Sequence, residues 1–430
     1  MLLQLYPKVH RRYSSLPVLG PVVEKFGAWL LKQGYSTDCV REHFCSMRRI
    51  ARLLKKRRIG SVAELTRAKL QACAPADRLE DKRLAASVRL LERYFASETS
   101  LFATQPSSRI DQRVAEYATY LDQVRGLTAS SVAGHCRTAG ALLTDIDYES
   151  TPERLRTITA LDIEAFVRRA GGRLKRSSLQ GVVAHLRTFL RFVASSGETA
   201  AGLDREIDTP RVYREEKLPK ALPWETVKAF LHSIDRTTPS GIRDYAIFLL
   251  IATYGLRGCD IVALTLDDVA WRARCIRIQQ RKTGRLLWLP LTDEVAAALL
   301  EYLRRGRPHL GIRQFRRGFQ NDHPDFREIF LRCLTPAGVL KAAAIAEAFQ
   351  KWSRRSGLKI PFQGVHCLRH SYALHLLRSG LPLKTIGDLL GHRTLESTCV
   401  YLRLATDDLR DVPLNLPAAA CGAGELEVAR

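Results

Sequence analysis

The sequence predicts a mainly α protein with one small β hairpin, and three observations lead there. Apolar residues recur at helical spacing through the first 200 residues. A single period-two pattern with a turn between its arms lies at 275–291. A polar, proline-containing stretch at 206–219 separates an all-helical half from the part that holds the hairpin.

The elements follow in order. Val22, Phe26, Trp29 and Leu30 fall at i, i+4, i+7 and i+8, one face of a helix. Thr37 to Leu54 reads as a second helix, with Val40, Phe44, Met47 and Ile50 along one side. A similar pattern returns about 92 residues later. Val114, Tyr117, Tyr120 and Leu121 echo Val23, Phe26, Trp29 and Leu30. Gly126-Leu127-Thr128 echoes Gly34-Tyr35-Ser36, Val132 and Cys136 echo Val40 and Phe44, and Ile158 to Ile163 matches Leu65 to Leu70. Two copies of one helical module are therefore expected, at roughly 18–100 and 109–200. After the linker, Pro223-Trp224-Glu225 opens a helix with proline at an early position. Strands at Cys275–Ile278 and Leu286–Leu291 flank a turn at Lys282–Arg285. Gly311 to Arg327 reads as an exposed loop, and the tail from Ala418 as a small-residue, polar extension. The expected domains are 1–105, 106–205 and 220–412, with the linker at 206–219 and a tail at 413–430.

Charge and composition narrow the function classes. Among 430 residues, 68 are Lys or Arg against 44 acids, a net charge of +24. In a chain whose basic residues are scattered through amphipathic helices, nucleic acid is the commonest partner for such an excess. The basic candidates for DNA contact are Arg173, Lys175, Arg176, Arg187 and Arg191, and the first module carries Arg48, Arg49, Arg52 and Lys55 to Arg58. The longest apolar run, Tyr245 to Tyr254, is half the length of about 20 residues that spans a bilayer. The start lacks a signal-peptide pattern, so a cytoplasmic protein without membrane contact is expected. None of the ten cysteines form CxxC pairs, which argues against a zinc site, and a disulfide framework is not expected.

Five short segments carry the chemistry. Tyr245 to Tyr254 runs into Gly255 and then Arg257, which either presents a fixed guanidinium to a site or is a surface residue past a helix end. Lys282 sits at the hairpin turn, where a lysine is usually just solvated but where a hairpin tip can reach a DNA groove. In His366-Cys367-Leu368-Arg369-His370, positions 366, 369 and 370 share one side of a helix. Arginine offers a rigid fork of donors and histidine can donate or accept a proton, a pairing that suits an anionic oxygen. Two histidines at i and i+4 also suit a metal, but this is not HExxH, and an arginine between the ligands would repel the cation. Leu389-Leu390-Gly391-His392 follows, and Tyr401 stands nine residues beyond His392.

In the order Arg, Lys, His-x-x-Arg, Gly-His, Tyr, these segments resemble the catalytic domain of the tyrosine recombinase (phage integrase) family, with the likeness running over about 109–412. The resemblance implies helical, SAM-like core-binding modules ahead of a mixed, mostly helical catalytic domain. It implies a site-specific recombinase that cuts and rejoins DNA through a 3′-phosphotyrosine on Tyr401. Arg257 and Arg369 would clamp the non-bridging phosphate oxygens, His392 would add a donor, His366 would manage the tyrosine proton, and Lys282 would protonate the leaving 5′-oxygen. No metal or cofactor would be required. Asp260 stands where the family often has Glu, and would orient its neighbours. The implied partners are double-stranded DNA and three further protomers, identical or from a sister recombinase, with 405–417 packing on a neighbour. The implied setting is integration, excision or transposition of a mobile element. Dimer resolution, a type IB-like topoisomerase and a catalytically silent DNA-binding regulator are the alternatives.

Overall fold

The computed structural model describes residues 10–75, 81–99, 102, 108–212, 219–308, 326–335, 338–362 and 364–404. Most of the loop expected at 311–327, part of the linker, and the segments at 405–417 and 413–430 lie outside the described residues. Contacts divide the chain into two compact units. One is drawn from Met1–Val62, Pro75–Ser87 and Leu218–Arg430, the other from Ala63–Ala74 and Val88–Lys217.

The N-terminal elements are α1 (His10–Ser14), α2 (Gly20–Lys32), α3 (Thr37–Lys56), a 3-10 turn at Val62–Glu64, α4 (Arg67–Gln71) and α5 (Lys82–Glu98). The expected face of α3 forms: Val40, Phe44, Met47 and Ile50 are fully buried. In α2 the core position belongs to Val23, and Val22 is half-buried. The next elements repeat the order of α2 to α5. They are α6 (Arg109–Gln123), α7 (Ala129–Asp145), a 3-10 turn at Pro152–Leu155, α8 (Ala160–Gly171) and α9 (Arg176–Ser195). Gly34 and Gly126 both take positive φ, at 84° and 58°, to end α2 and α6. Ser36 and Thr128 then stand at the next N-caps, and Thr66 and Thr159 cap α4 and α8.

Helices α6 to α9 surround one core that includes Tyr117, Leu121, Leu142, Leu143, Leu186, Phe189 and Leu190. Thr159 and Asp162 form a reciprocal capping box, with Thr159 N donating to Asp162 Oδ2 at 2.9 Å. Buried Arg113 is tolerated because it is paired with Glu116 at 2.6 Å and with Glu198, and lies over the Phe192 ring.

The C-terminal part begins with α10 (Trp224–His232) and α11 (Pro239–Tyr254). Helix α11 is apolar on all sides because it is packed on all sides: Ile247, Phe248, Leu249, Leu250 and Ile251 are all buried. Its one buried carboxylate, Asp244, is paired with Arg243 at 2.7 Å and accepts a hydrogen bond from Trp352 Nε1 at 2.9 Å. A short helix α12 (Gly258–Ile261) leads to the antiparallel sheet β1 (Val269–Ala270), β2 (Cys275–Gln279) and β3 (Leu286–Pro290). The hairpin stands where the sequence places it, and β1 adds a third strand. Ile276 and Ile278 face the core, while Arg277 pairs with Trp288 on the exposed face. Then come α13 (Asp293–Glu301), α14 (Ala342–Arg355), α15 (His366–Arg378), α16 (Leu383–Leu390) and α17 (Glu396–Cys399). The observed class is the expected one, mostly helical with a small sheet. Among the described residues, no helix is long and apolar enough to cross a membrane.

Candidate active site

Two left-handed glycines build the frame of the site. Gly255, at φ 63°, stops α11 and turns the chain so that Arg257 becomes the N-cap residue of α12. Gly391, also at φ 63°, stops α16 and delivers His392. Only glycine takes this conformation without strain, and at Gly255 a Cβ would lie 2.6 Å from Leu390 Cδ2 and 2.8 Å from Tyr372 Cδ1.

The backbone carbonyls of these two turns hold the arginines. Buried Arg369, from the first turn of α15, donates Nη1 to Gly255 O and Nη2 to Leu390 O, the latter at 2.7 Å. Arg257 donates Nη2 to Gly391 O at 3.4 Å and stands 3.9 Å from Asp260 Oδ2 through Nη1. That Nη1, like Asp260 Oδ2, is buried without a hydrogen-bond partner among the described residues. A buried, unsatisfied guanidinium donor is costly to maintain and is suited to an incoming anionic oxygen.

The hairpin is fastened to this frame from two sides. Arg281 N donates to Asp260 Oδ1 at 2.9 Å. Buried Gln280 donates Nε2 to Leu390 O at 3.3 Å and accepts from Thr283 Oγ1 at 2.6 Å. Lys282 is exposed between these anchors, at the turn, and close enough for its charge to depress the His366 pKa.

Tyr401 follows α17 and is buried. Its hydroxyl is 3.1 Å from His370 Nδ1, and its ring lies near-parallel to that of His392 with centroids 6.3 Å apart. His392 Nδ1 pairs with the buried Thr398 hydroxyl at 2.8 Å, which sets the ring orientation. Thus Arg257, Arg369, His370, His392 and Tyr401 share one frame, with His366 and Lys282 in electrostatic reach of the arginines or of each other.

The electrostatics are those of a site with surplus positive charge. Burial, and then the neighbouring Arg257, bring the Arg369 pKa down to about 10. Burial and the two arginines lower His392 to about 4, and burial with His366 and Arg369 lowers His370 to about 4. His366 is lowered by desolvation, then by Arg369, Arg257 and Lys282. Burial raises the Tyr401 phenol, while Arg369 and Arg257 pull it back. All these like-charge effects relax when an anion enters.

Sequence reasoning assigned no role to His370 or Gln280. His370 is visible in the HCLRH string, but its partner lies 31 residues away; Gln280 gives no local signal at all.

In the helical unit, Arg173, Lys175 and Arg176 are exposed at the α8–α9 turn. Arg173 lines a groove of about 650 Å³ together with Arg137, Arg169, Ser178 and His185. Arg187 is half-buried and Arg191 is exposed. Arg187 Nη2 donates to Ile207 O at 2.6 Å, and Arg191 is 3.6 Å from Asp204.

Comparisons with known proteins bear on the family and the fold. Residues 220–407 match the model of the phage integrase family. The protein y4rF of Sinorhizobium fredii, described as an integrase/recombinase, is 32% identical over 313 residues, 71% of this chain and 70% of that protein. The tyrosine recombinase XerD of Listeria innocua is 28% identical over 308 residues, 70% of this chain and 96% of that protein. Among solved structures, a lambda integrase tetramer bound to a Holliday junction shares the fold with TM-score 0.50 at 15% identity, over 74% of this chain and 87% of that one. The Tn1549 transposon integrase in complex with a circular intermediate DNA does so with TM-score 0.50 at 15% identity, over 71% of this chain and 100% of that one. The chain belongs to the phage integrase family, and is a tyrosine recombinase that cleaves and rejoins DNA in site-specific recombination.

Proposed function

We propose that Tyr401 is the nucleophile, and that the other site residues act as the family resemblance implies. The observation that carries this is the buried Tyr401 hydroxyl beside two guanidiniums held by turn carbonyls, one with an unsatisfied donor. A phosphodiester seated between Arg257 and Arg369 would find donors for both non-bridging oxygens. Negative charge on those oxygens peaks in the five-coordinate transition state, so fixed cations there lower the barrier. His392 adds a donor from the far side. The Tyr401 oxygen bonds to phosphorus as the bond to O5′ breaks, and Lys282, at the hairpin tip, supplies the proton that O5′ needs. The product is a 3′-phosphotyrosine and a free 5′-hydroxyl, so the bond energy is kept for rejoining.

Double-stranded DNA is the substrate in this reading. The unit holding α6 to α9 serves as the core-binding domain, with the exposed Arg173, Lys175 and Arg176 among its expected phosphate contacts. The earlier helices, similar in order and capping, act as a second DNA- or partner-binding module. Four protomers pair two sites and exchange strands through a junction, the arrangement named for the lambda integrase structure. The biological setting is integration, excision or transposition of a mobile element, the class to which the Tn1549 enzyme belongs by name.

The test is a nicked suicide substrate spanning the ends of the element that encodes the chain. Wild type and Tyr401→Phe are compared in EDTA on a denaturing gel. A covalent band from wild type alone supports the reading. Bound DNA with no band from either protein refutes it and favours the silent regulator. Covalent bands of equal strength on unrelated DNA favour topoisomerase behaviour.

A further inference from the structure

A buried amide stands two residues before Lys282. Gln280 closes the end of the hairpin, its N–H donating to Arg285 O and its carbonyl accepting from Gly284 N, both at 2.8 Å. Its side chain is 1% exposed and reaches the turn after α16. There Nε2 donates to Leu390 O at 3.3 Å, while Oε1 accepts from the Thr283 hydroxyl at 2.6 Å. The carbonyl fixes which way the amide points, because it can only accept. Gly391 makes room: a Cβ there would lie 1.9 Å from Gln280 Oε1 and 2.1 Å from Nε2.

A side chain of this size need not be polar to fill that space, and a buried amide costs stability unless both its ends are bonded. What the amide adds is a link. Leu390 O also accepts from Arg369 Nη2 at 2.7 Å, so one carbonyl joins an arginine of the phosphate clamp to the residues before Lys282. Thr283, on the other side of Lys282, is tied to the same amide. Arg281 N on Asp260 Oδ1 at 2.9 Å adds a third tie. The Lys282 side chain itself is exposed, so the bonds at 280, 281 and 283 set where its ammonium stands.

We propose that Gln280 is the positioning residue for Lys282, setting the distance between the proton donor and the arginine clamp. This rests on the reading of Tyr401 as nucleophile and Lys282 as acid. As Tyr401 Oη bonds to phosphorus, the P–O5′ bond breaks and the Lys282 ammonium gives its proton to O5′. The amine so formed takes a proton back from the 5′-hydroxyl at rejoining. Without the Gln280 bridge the same lysine remains, on a tip no longer held to the clamp. The loss then falls on protonation of the leaving group and spares phosphate binding.

The experiment is single-turnover cleavage by the full chain on two nicked duplexes that differ in one atom, oxygen or sulfur at the bridging 5′ position. A thiolate is a much weaker base than an alkoxide and departs without a proton, so the sulfur duplex is blind to a misplaced acid. Gln280→Ala should cleave the oxygen duplex about 10- to 100-fold more slowly than wild type, the cost of a displacement of about 1 Å, and the sulfur duplex within about threefold of it. Its affinity for the duplex should be unchanged. Lys282→Ala should show the same pattern more steeply. Gln279→Ala is the control. Its exposed amide donates to Gly284 O at 3.1 Å within the hairpin, and the variant should match wild type on both duplexes. Should Gln280→Ala fail to fold or bind, Gln280→Met, which keeps the volume and loses both bonds, decides by the same comparison. An equal loss on both duplexes means that Gln280 supports the site as a whole and overturns the proposal. Unimpaired cleavage, or an equal effect from Gln279→Ala, overturns it too. Rescue of Lys282→Ala by sulfur without rescue of the Gln280 variants sinks this inference alone. No covalent band from wild type on bound DNA sinks the underlying reading with it.

Discussion

Gly255→Ala is the perturbation that most directly tests how the frame of the site is built. Two costs add. An alanine at φ 63° pays about 1–2 kcal/mol for the left-handed backbone. Its Cβ would sit 2.6 Å from Leu390 Cδ2 and 2.8 Å from Tyr372 Cδ1, well inside contact, and overpacking of this kind costs about 1–3 kcal/mol. The sum is roughly 2–5 kcal/mol of stability. Gly357→Ala is the matched control. Its φ is 68° but a Cβ there meets nothing within 4 Å, so only the backbone cost applies. Catalysis adds a second readout, because Gly255 O holds Arg369, and a shift of about 1 Å in such a group costs about 100-fold in rate. Urea unfolding measures the first quantity and suicide-substrate cleavage the second. Equal stability loss in the two variants, with cleavage by Gly255→Ala unimpaired, would refute the argument that packing at this turn positions the arginine.

Three further outcomes are expected. Arg187→Ala should destabilise the helical unit by about 1–2 kcal/mol, because the Ile207 carbonyl loses a charged donor, and leave the salt dependence of DNA binding unchanged. Arg173→Ala should do the reverse, with little change in unfolding and a salt slope reduced by about one if it contacts a phosphate. Acidification should destabilise the same unit. Burial, with His185 and Arg125 nearby, lowers the pKa of His135 to about 4, and burial with Arg137 lowers that of His185. Folding therefore favours the neutral rings. The His135 contribution is complete above the unfolded value of about 6.5 and is lost as pH falls from there toward about 4, and that of His185 is lost in the same direction. Unfolding of His135→Gln across this range should show a flatter dependence than wild type; an identical slope would contradict the assignment.

Much of the site was legible because its segments are local. Arg257 follows a helix-stopping glycine, His366 and Arg369 share one helical side, and Gly391 precedes His392, so spacing alone put each on the right kind of element. The turn holding Lys282 was legible from period-two strands on either side. What sequence could not carry was contact across distance. Gln280 is buried by a carbonyl 110 residues away, and His370 gains its partner when the chain returns at Tyr401. Arg187 reads in sequence as a surface charge on an amphipathic helix, yet it is half-buried and donates to Ile207 O, in a segment whose return path has no sequence signature. The strand β1 is two residues long, too short for a period to register.

The measurement that bears most directly on the account is the identity of the covalent link. The wild-type adduct on the nicked duplex, formed in EDTA, would be digested with protease and nuclease and sequenced by mass spectrometry. The account predicts a single modified peptide carrying a nucleotide 3′-phosphate on Tyr401, with a free 5′-hydroxyl on the released strand. A link through any other residue, or through a 5′-phosphate, would contradict it.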